Sequence, residues 1–579
     1  VPSSFLPNLS LDLRAPESHL VGVRLRCQPT RPRLRFALPA WTPGSYLIRD
    51  YVRQLEGLAV EQAGLPMQPR RVATGQWELV LPSLAPVEIR YRILATELTV
   101  RTCHLDGDHG FLALAAVALE LDGERWNPHR LELQLPPHWQ AFVPLPADPD
   151  GGWTARDFDQ LVDTPVEAGP HPCHTFSVAG VPHRWVTWGR TLEGTDLPLG
   201  NPHWLADVEA VCLACCRLMG VERPAADHYL FVLHLTADGY GGLEHDSSTV
   251  LQYGRHRLAR PDGRRKLLQL VAHEYLHQWN VRRLRPAELT PYCYSQAVVI
   301  PTLWFAEGIT SYVDQLLPFS AGLVHADALL EDLGAELSRY LLTPGRAVQS
   351  LRQSGEEAWV KLYRADAHSA NNQISYYLKG AVLALVLDLH LRRHGSGLPA
   401  VLRKLWQELG RIGRGYREAD LIAAFAAGAP DLTRLLPAWL EELEDPPLAD
   451  YLADVGLSLE PRRSTTAWLG WQLQSRPEGL TLQRVVRESP AQRAGLAVGD
   501  ELLALNGWRL RQMEDLEAVL AATHLHRPLP LLFARDGQVR STDLEPDPPA
   551  VEAWILRVDP AADDEAELRR HRWLSLECP

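Results

Sequence analysis

Residues 267–279 read LLQLVAHEYLHQW, with apolar positions at helical spacing and neither proline nor glycine. This predicted helix carries His273, Glu274 and His277. Side chains at i and i+4 project from one helix face, so both imidazoles can reach a single metal ion. Glu274, beside the first histidine, can face a water at that metal and take its proton. A catalytic zinc takes three protein ligands and keeps one open position. The helix must therefore pack against an element that brings a third donor. A chance match on an amphipathic helix is the bland alternative, in a chain with 22 histidines.

The candidate acids downstream are Glu288, Glu307, Asp314, Glu331 and Asp332. Glu288 falls in a predicted connecting loop. Glu307 lies in TLWFAEGITSYVDQL, a predicted helix whose aromatic and aliphatic residues would bury it. A carboxylate so placed is expensive unless it meets a cation. Glu307 is therefore the expected third ligand; the competing reading is an exposed first-turn acid favoured by the helix dipole.

At 579 residues the chain has room for about three or four domains. Up to about residue 180 it alternates with period two (LRLRCQ, RLRFAL, VEIRYRI), broken by proline and glycine, as antiparallel strands do. From about 200 to 450 the period becomes helical, after a short strand set that includes HYLFVLHLTA. A compact strand–turn pattern follows from about 460 to 545, and a proline-rich break leads into an acidic tail. The expected class is multidomain α+β.

A net charge of −13 leaves no domain-scale basic surface, so no nucleic-acid partner is expected. The longest aliphatic stretch, residues 381–387, is too short to cross a bilayer, so no membrane span is expected. The start, VPSSFLPNLSL, shows no basic n-region or long apolar core. The expected location is cytoplasmic, or periplasmic if a leader has been removed. Of eight irregularly spaced cysteines, Cys212, Cys215 and Cys216 sit in an apolar helical stretch and read as small buried thiols rather than half of a metal clamp.

HEYLHQWN…RP followed by WFAEG resembles the glycyl aminopeptidase family of zinc metallopeptidases, gluzincins related to aminopeptidase N. In that group the third ligand is a glutamate in a W-x-x-E-G helix, here Glu307. The 29 residues between His277 and Glu307 match the glycyl aminopeptidase branch; aminopeptidase N has a shorter interval. Gly241-Gly242-Leu243-Glu244-His245 resembles the Gly-x-Met-Glu-Asn exopeptidase motif of aminopeptidase N. Glycine lets a strand edge approach a peptide backbone closely, and an acid just beyond it can pair with a substrate's α-ammonium. Tyr377-Leu378-Lys379-Gly380 is similar to the family's Y-x-K-G, whose tyrosine stabilises the oxyanion; Tyr376 is the competitor for that role.

WTPGSYLIRDY resembles the family's β-rich N-terminal domain, and SPAQRAGLAVGDELLALNG resembles a PDZ domain. In the latter, Trp468-Leu469-Gly470-Trp471 stands for the usual G-L-G-F carboxylate loop without its first glycine. The resemblance implies an N-terminal β-domain over 1–180, a thermolysin-like, mainly helical catalytic domain over 181–455, a PDZ domain over 460–545 and a tail over 546–579. It implies a zinc-dependent aminopeptidase with one Zn2+ per chain, acting on peptides with a free N-terminus and favouring small first residues such as Gly or Ala. Glu274 would be the base, Tyr377 the oxyanion donor, and Gly241, Gly242 and Glu244 the substrate contacts. A peptide or protein ligand is expected at the PDZ domain. Two alternatives remain: an endopeptidase on the same scaffold, and a PDZ-based peptide-binding scaffold with a degraded metal site.

Overall fold

The strand Leu20–Cys27 shows how alternation builds the first region: Val21, Val23, Leu25 and Cys27 are buried while Arg24 and Arg26 face outward. It lies in a seven-stranded sheet, antiparallel to Asn8–Asp12 on one side and to Val87–Leu94 on the other. The pairing is mainly antiparallel, but Asn8–Asp12 runs parallel to His129–Gln134. Two four-stranded sheets complete this β-rich region. The computed structural model describes residues 6–522 and 527–578. The chain divides into two compact units, one of Val1–Ile300, Leu316–Val324 and Pro399–Leu421, the other of Pro301–Gln315, His325–Leu398 and Ile422–Pro579.

In the first unit a five-stranded sheet follows the β-rich region. Its inner strands Val181–Trp188, Tyr229–Thr236 and Ser248–Gly254 run parallel, and Cys173–Val178 and Tyr240–Glu244 flank them antiparallel. YLFVLHLT is buried along all but its last residue, the signature of a strand covered on both faces. Helix Gly263–Leu276 packs on helix Trp204–Met219 and on the strands Tyr240–Glu244 and Ser248–Gly254. Cys212, Cys215 and Cys216 are all buried on Trp204–Met219, with Cys215 Sγ 4.0 Å from the Ala272 carbonyl. Burial pushes Cys216 up to about 12 and the other two thiols well above their ordinary range. These are inert packing groups that let two helices approach closely.

The second unit is built on helix Tyr376–Arg393, whose residues from Leu378 to Leu391 are buried throughout. Residues 369–393 are long and apolar enough to cross a membrane, yet 89% of the most apolar window is buried inside the protein. A five-strand path, Trp471–Arg476, Gly479–Val485, Glu501–Leu505, Leu529–Arg535 and Gln538–Leu544, closes over Leu480, Leu502, Leu505, Leu531 and Leu544. The segment expected as a tail contributes the strand Val551–Val558, paired with Leu457–Arg463, and the helix Asp564–Leu574. Its fully buried Trp573 donates to the Tyr312 hydroxyl at 2.5 Å, which donates in turn to Asp388 at 2.9 Å.

Candidate active site

Helix Gly263–Leu276 ends on the histidine pair, with His277 as its C-terminal cap. The His273 and His277 rings stand 4.7 Å apart and nearly perpendicular. His277 is buried, and its Nδ1 lies 2.6 Å from the Asn280 carbonyl. Donation from Nδ1 to that carbonyl fixes the tautomer and leaves Nε2 as a lone-pair donor for a metal. On the opposite face, Tyr275 places its hydroxyl 3.0 Å from His183 Nε2. Burial lowers His183 to about 4, so this imidazole is neutral at physiological pH.

Strand Tyr240–Glu244 forms the edge of the five-stranded sheet. Gly242 sits directly on the base: a Cβ there would lie 2.3 Å from Glu274 Oε1. Gly241 adopts φ +150° with open space where a side chain would stand. Arg101 pins the strand by donating to the Gly242 carbonyl at 3.2 Å. Glu244, Glu274 and His277 are all buried, and each offers one ligand atom within 4.8 Å of the others. Glu244 Oε1 is buried without a hydrogen-bond partner among the described residues. Two buried carboxylates this close repel each other unless a cation shares them. The donor set of imidazole and carboxylate suits a divalent metal, and the unsatisfied Glu244 oxygen suits an ammonium.

Behind Glu244 lies an ion network that sequence reasoning missed. Arg282, 3% exposed, contacts Asp163 at 2.9 Å and Asp246 at 3.0 Å. His245 reaches Asp163 at 3.0 Å, and the Asp246 backbone N–H donates to the same carboxylate at 2.7 Å. Burial alone would raise Asp246, but Arg282, Arg283, Arg285 and Arg156 pull it well below the usual carboxylate range. The network ties the turn after Glu244 to the segment after His277.

Glu307 lies on a π-helical turn, Trp304–Gly308, and is 2% exposed among the buried Trp304, Phe305 and Ala306. Such turns are frequent at functional sites. The turn packs against helix Tyr376–Arg393 through two glycines: a Cβ on Gly308 would lie 2.6 Å from the Gly380 Cα. Tyr376 is wholly buried, whereas Tyr377 is partly exposed. Their rings stack at 4.7 Å, and Tyr363, unmarked by the motifs, joins them through its hydroxyl, 3.1 Å from that of Tyr377 and 3.3 Å from that of Tyr376.

The PDZ strands meet this same unit through Asn371, which donates to the Val485 carbonyl at 2.7 Å and accepts from the Arg487 backbone at 2.9 Å. In the turn over residues 468–471 Gly470 takes φ +69°, and its Cβ would collide with Ser489.

Family models match in three places: an M61 peptidase N-terminal domain over residues 8–170, an M61 glycyl aminopeptidase domain over 266–383, and a PDZ domain over 482–535. The crystal structure of an aminopeptidase N family protein from Idiomarina loihiensis overlays with a TM-score of 0.90 at 27% identity, covering 98% of this chain and all of that one. Leukotriene A4 hydrolase from Saccharomyces cerevisiae overlays at a TM-score of 0.46 and 13% identity, over 78% of this chain and 70% of that one. A curated relative, the magnetosome formation protease MamE of Paramagnetospirillum magneticum, is 33% identical over 85 residues; these span 15% of this chain and only 12% of MamE. The chain thus carries regions matching the N-terminal and peptidase domains of the M61 glycyl aminopeptidase family, followed by a PDZ domain, and is a peptidase.

Proposed function

We propose that the protein is a zinc-dependent aminopeptidase that removes small amino-terminal residues, Gly or Ala, from peptides with a free N-terminus. The observation that carries this reading is the pairing of Glu244 with Glu274 and His277: an unsatisfied buried carboxylate beside an HExxH centre. His273, His277 and Glu307 would hold the zinc, a donor set of two neutral imidazoles and one carboxylate that fits a catalytic site with an open position. Bound zinc supplies Lewis acidity toward the scissile carbonyl and lowers the pKa of water at the site.

The protein's own groups do the rest. Glu274 takes a proton from the attacking water and passes one to the leaving amine. Tyr377, held by the Tyr363 hydroxyl, donates to the oxygen on which negative charge develops. Glu244 binds the substrate's α-ammonium and so decides which carbonyl reaches the centre. The strand lies at the edge of its sheet, and the open space at Gly241 suits an extended peptide laid along it. The domain limits 1–180, 181–455, 460–545 and 546–579 belong to this proposal, as does a peptide ligand at the PDZ domain. The preference for small residues rests on the glycyl aminopeptidase match alone. Glu244→Gln tests the reading. It should lower kcat/KM on unblocked peptides at least about 100-fold, the scale of a desolvated charge-assisted contact; an unchanged kcat/KM would remove Glu244 from the substrate site.

A further inference from the structure

The turn Trp41-Thr42-Pro43-Gly44-Ser45-Tyr46 belongs to the β-rich region. Loop tips ordinarily lie in solvent, yet Trp41, Thr42, Ser45 and Tyr46 are each at most 2% exposed. The turn closes on itself through Ser45 N–H to the Thr42 carbonyl at 3.1 Å and Arg49 to Ser45 Oγ at 3.0 Å. Trp41 Nε1 donates to the Cys293 carbonyl, and Ala40 N–H to the Tyr294 carbonyl, each at 2.8 Å. A rigid, buried hairpin tip is therefore held in one place.

At that tip is Gly44, with φ +83°, and a Cβ built on it would lie 2.6 Å from both carboxylate oxygens of Glu244 and 2.7 Å from Leu243 Cδ1. Glu244 also has a carboxylate oxygen of Glu274 within 4.8 Å. The carboxylate thus lies against the bare backbone of the turn, with a second carboxylate close by. Any side chain at residue 44 must displace the Glu244 carboxylate or lift the turn out of its packed position.

We infer that the Thr42–Tyr46 turn is part of the peptidase site and that Gly44 is a positioning residue, which sets the Glu244 carboxylate where it receives a substrate's α-ammonium. This rests on the reading of Glu244 given above. The turn acts through Glu244 alone, so its contribution is to discrimination between free and blocked amino termini. It carries no role in proton transfer.

The test is a double-mutant cycle between residues 44 and 244, read on an unblocked Ala-Ala-Phe tripeptide and its N-acetylated form. Gly44→Asn adds a Cβ while tolerating a positive φ; Gly44→Ala serves as the second variant should the first fail to fold. Either substitution should lower kcat/KM on the free tripeptide at least about tenfold. In the Glu244→Asp background, where the shorter acid makes room, the same substitution should cost less than about twofold. Binding of the free tripeptide, measured calorimetrically in the Glu274→Gln background, should weaken in parallel. An equal loss in the Glu244 and Asp backgrounds overturns the inference, because the turn would then act by some other route. If Gly44→Asn costs activity while Glu244→Gln costs none, the reading of Glu244 itself fails, and the two failures are told apart.

Discussion

Gly308 and Gly380 meet backbone to backbone: a Cβ on the first would stand 2.6 Å from the Cα of the second, and one on the second 2.9 Å from the Cα of the first. Each glycine closes a motif, W-x-x-E-G and Y-x-K-G, so the shared terminal residue is a packing requirement. The contact seats the π-helical turn of Glu307 on the helix that begins with Tyr376 and Tyr377. Gly380→Ala should therefore cost about 1–3 kcal/mol by overpacking and lower turnover with it. Thermal unfolding and steady-state kinetics check this; a variant with native stability and native kcat would show that the spacing is not needed.

Glu307→Gln should weaken zinc binding sharply, because a neutral amide replaces an anionic ligand. Competition with a chromophoric chelator measures it. Stoichiometric zinc with unchanged affinity would strike Glu307 from the ligand set.

Chemistry separates from metal binding at the next two residues. Glu274→Gln should retain zinc and lose turnover, and Tyr377→Phe should lower kcat more than it changes KM. Tyr376→Phe, at a wholly buried ring, should chiefly affect stability. Tyr363→Phe should show a weaker copy of the Tyr377 effect, since it removes the hydroxyl 3.1 Å away. The pattern of Tyr377→Phe appearing at Tyr376 instead would reverse the assignment.

His183 gives a pH dependence whose sign follows from burial. The folded protein keeps this imidazole neutral down to about 4, whereas an unfolded chain takes up its proton at about 6.5. Folding thus loses stability as pH falls from about 6.5 toward 4, by up to about 3 kcal/mol. His183→Gln should flatten that portion of the stability profile while still able to hydrogen-bond Tyr275. Thermal midpoints between pH 7 and 4.5 test it, and an unaltered slope in the variant would assign the loss to other groups.

Much of the candidate site was legible because its chemistry is local. The i, i+4 spacing of His273 and His277, the acid within an apolar WFAEG and the glycines before Glu244 each announce themselves within five residues. The PDZ run was legible for the same reason, its glycines marking fixed turns. Residues joined only by folding were not. Arg282 meets Asp163 from 119 positions away, and Gly44 lies against Glu244 from 200 positions away. Asn280 acts through a backbone carbonyl, which no side-chain pattern reveals. Acidic composition suggested a tail after residue 546, and only an isolated tryptophan, Trp573, hinted at the packed helix found there.

The central claim is that a buried carboxylate reads the free amino terminus and thereby makes this peptidase an exopeptidase. A panel of peptides, each offered unblocked and N-acetylated to the zinc-loaded protein and followed by mass spectrometry, tests it most directly. The account predicts stepwise loss of single small residues from the unblocked peptides and no cleavage of the acetylated ones. Efficient internal cleavage of acetylated peptides would contradict it.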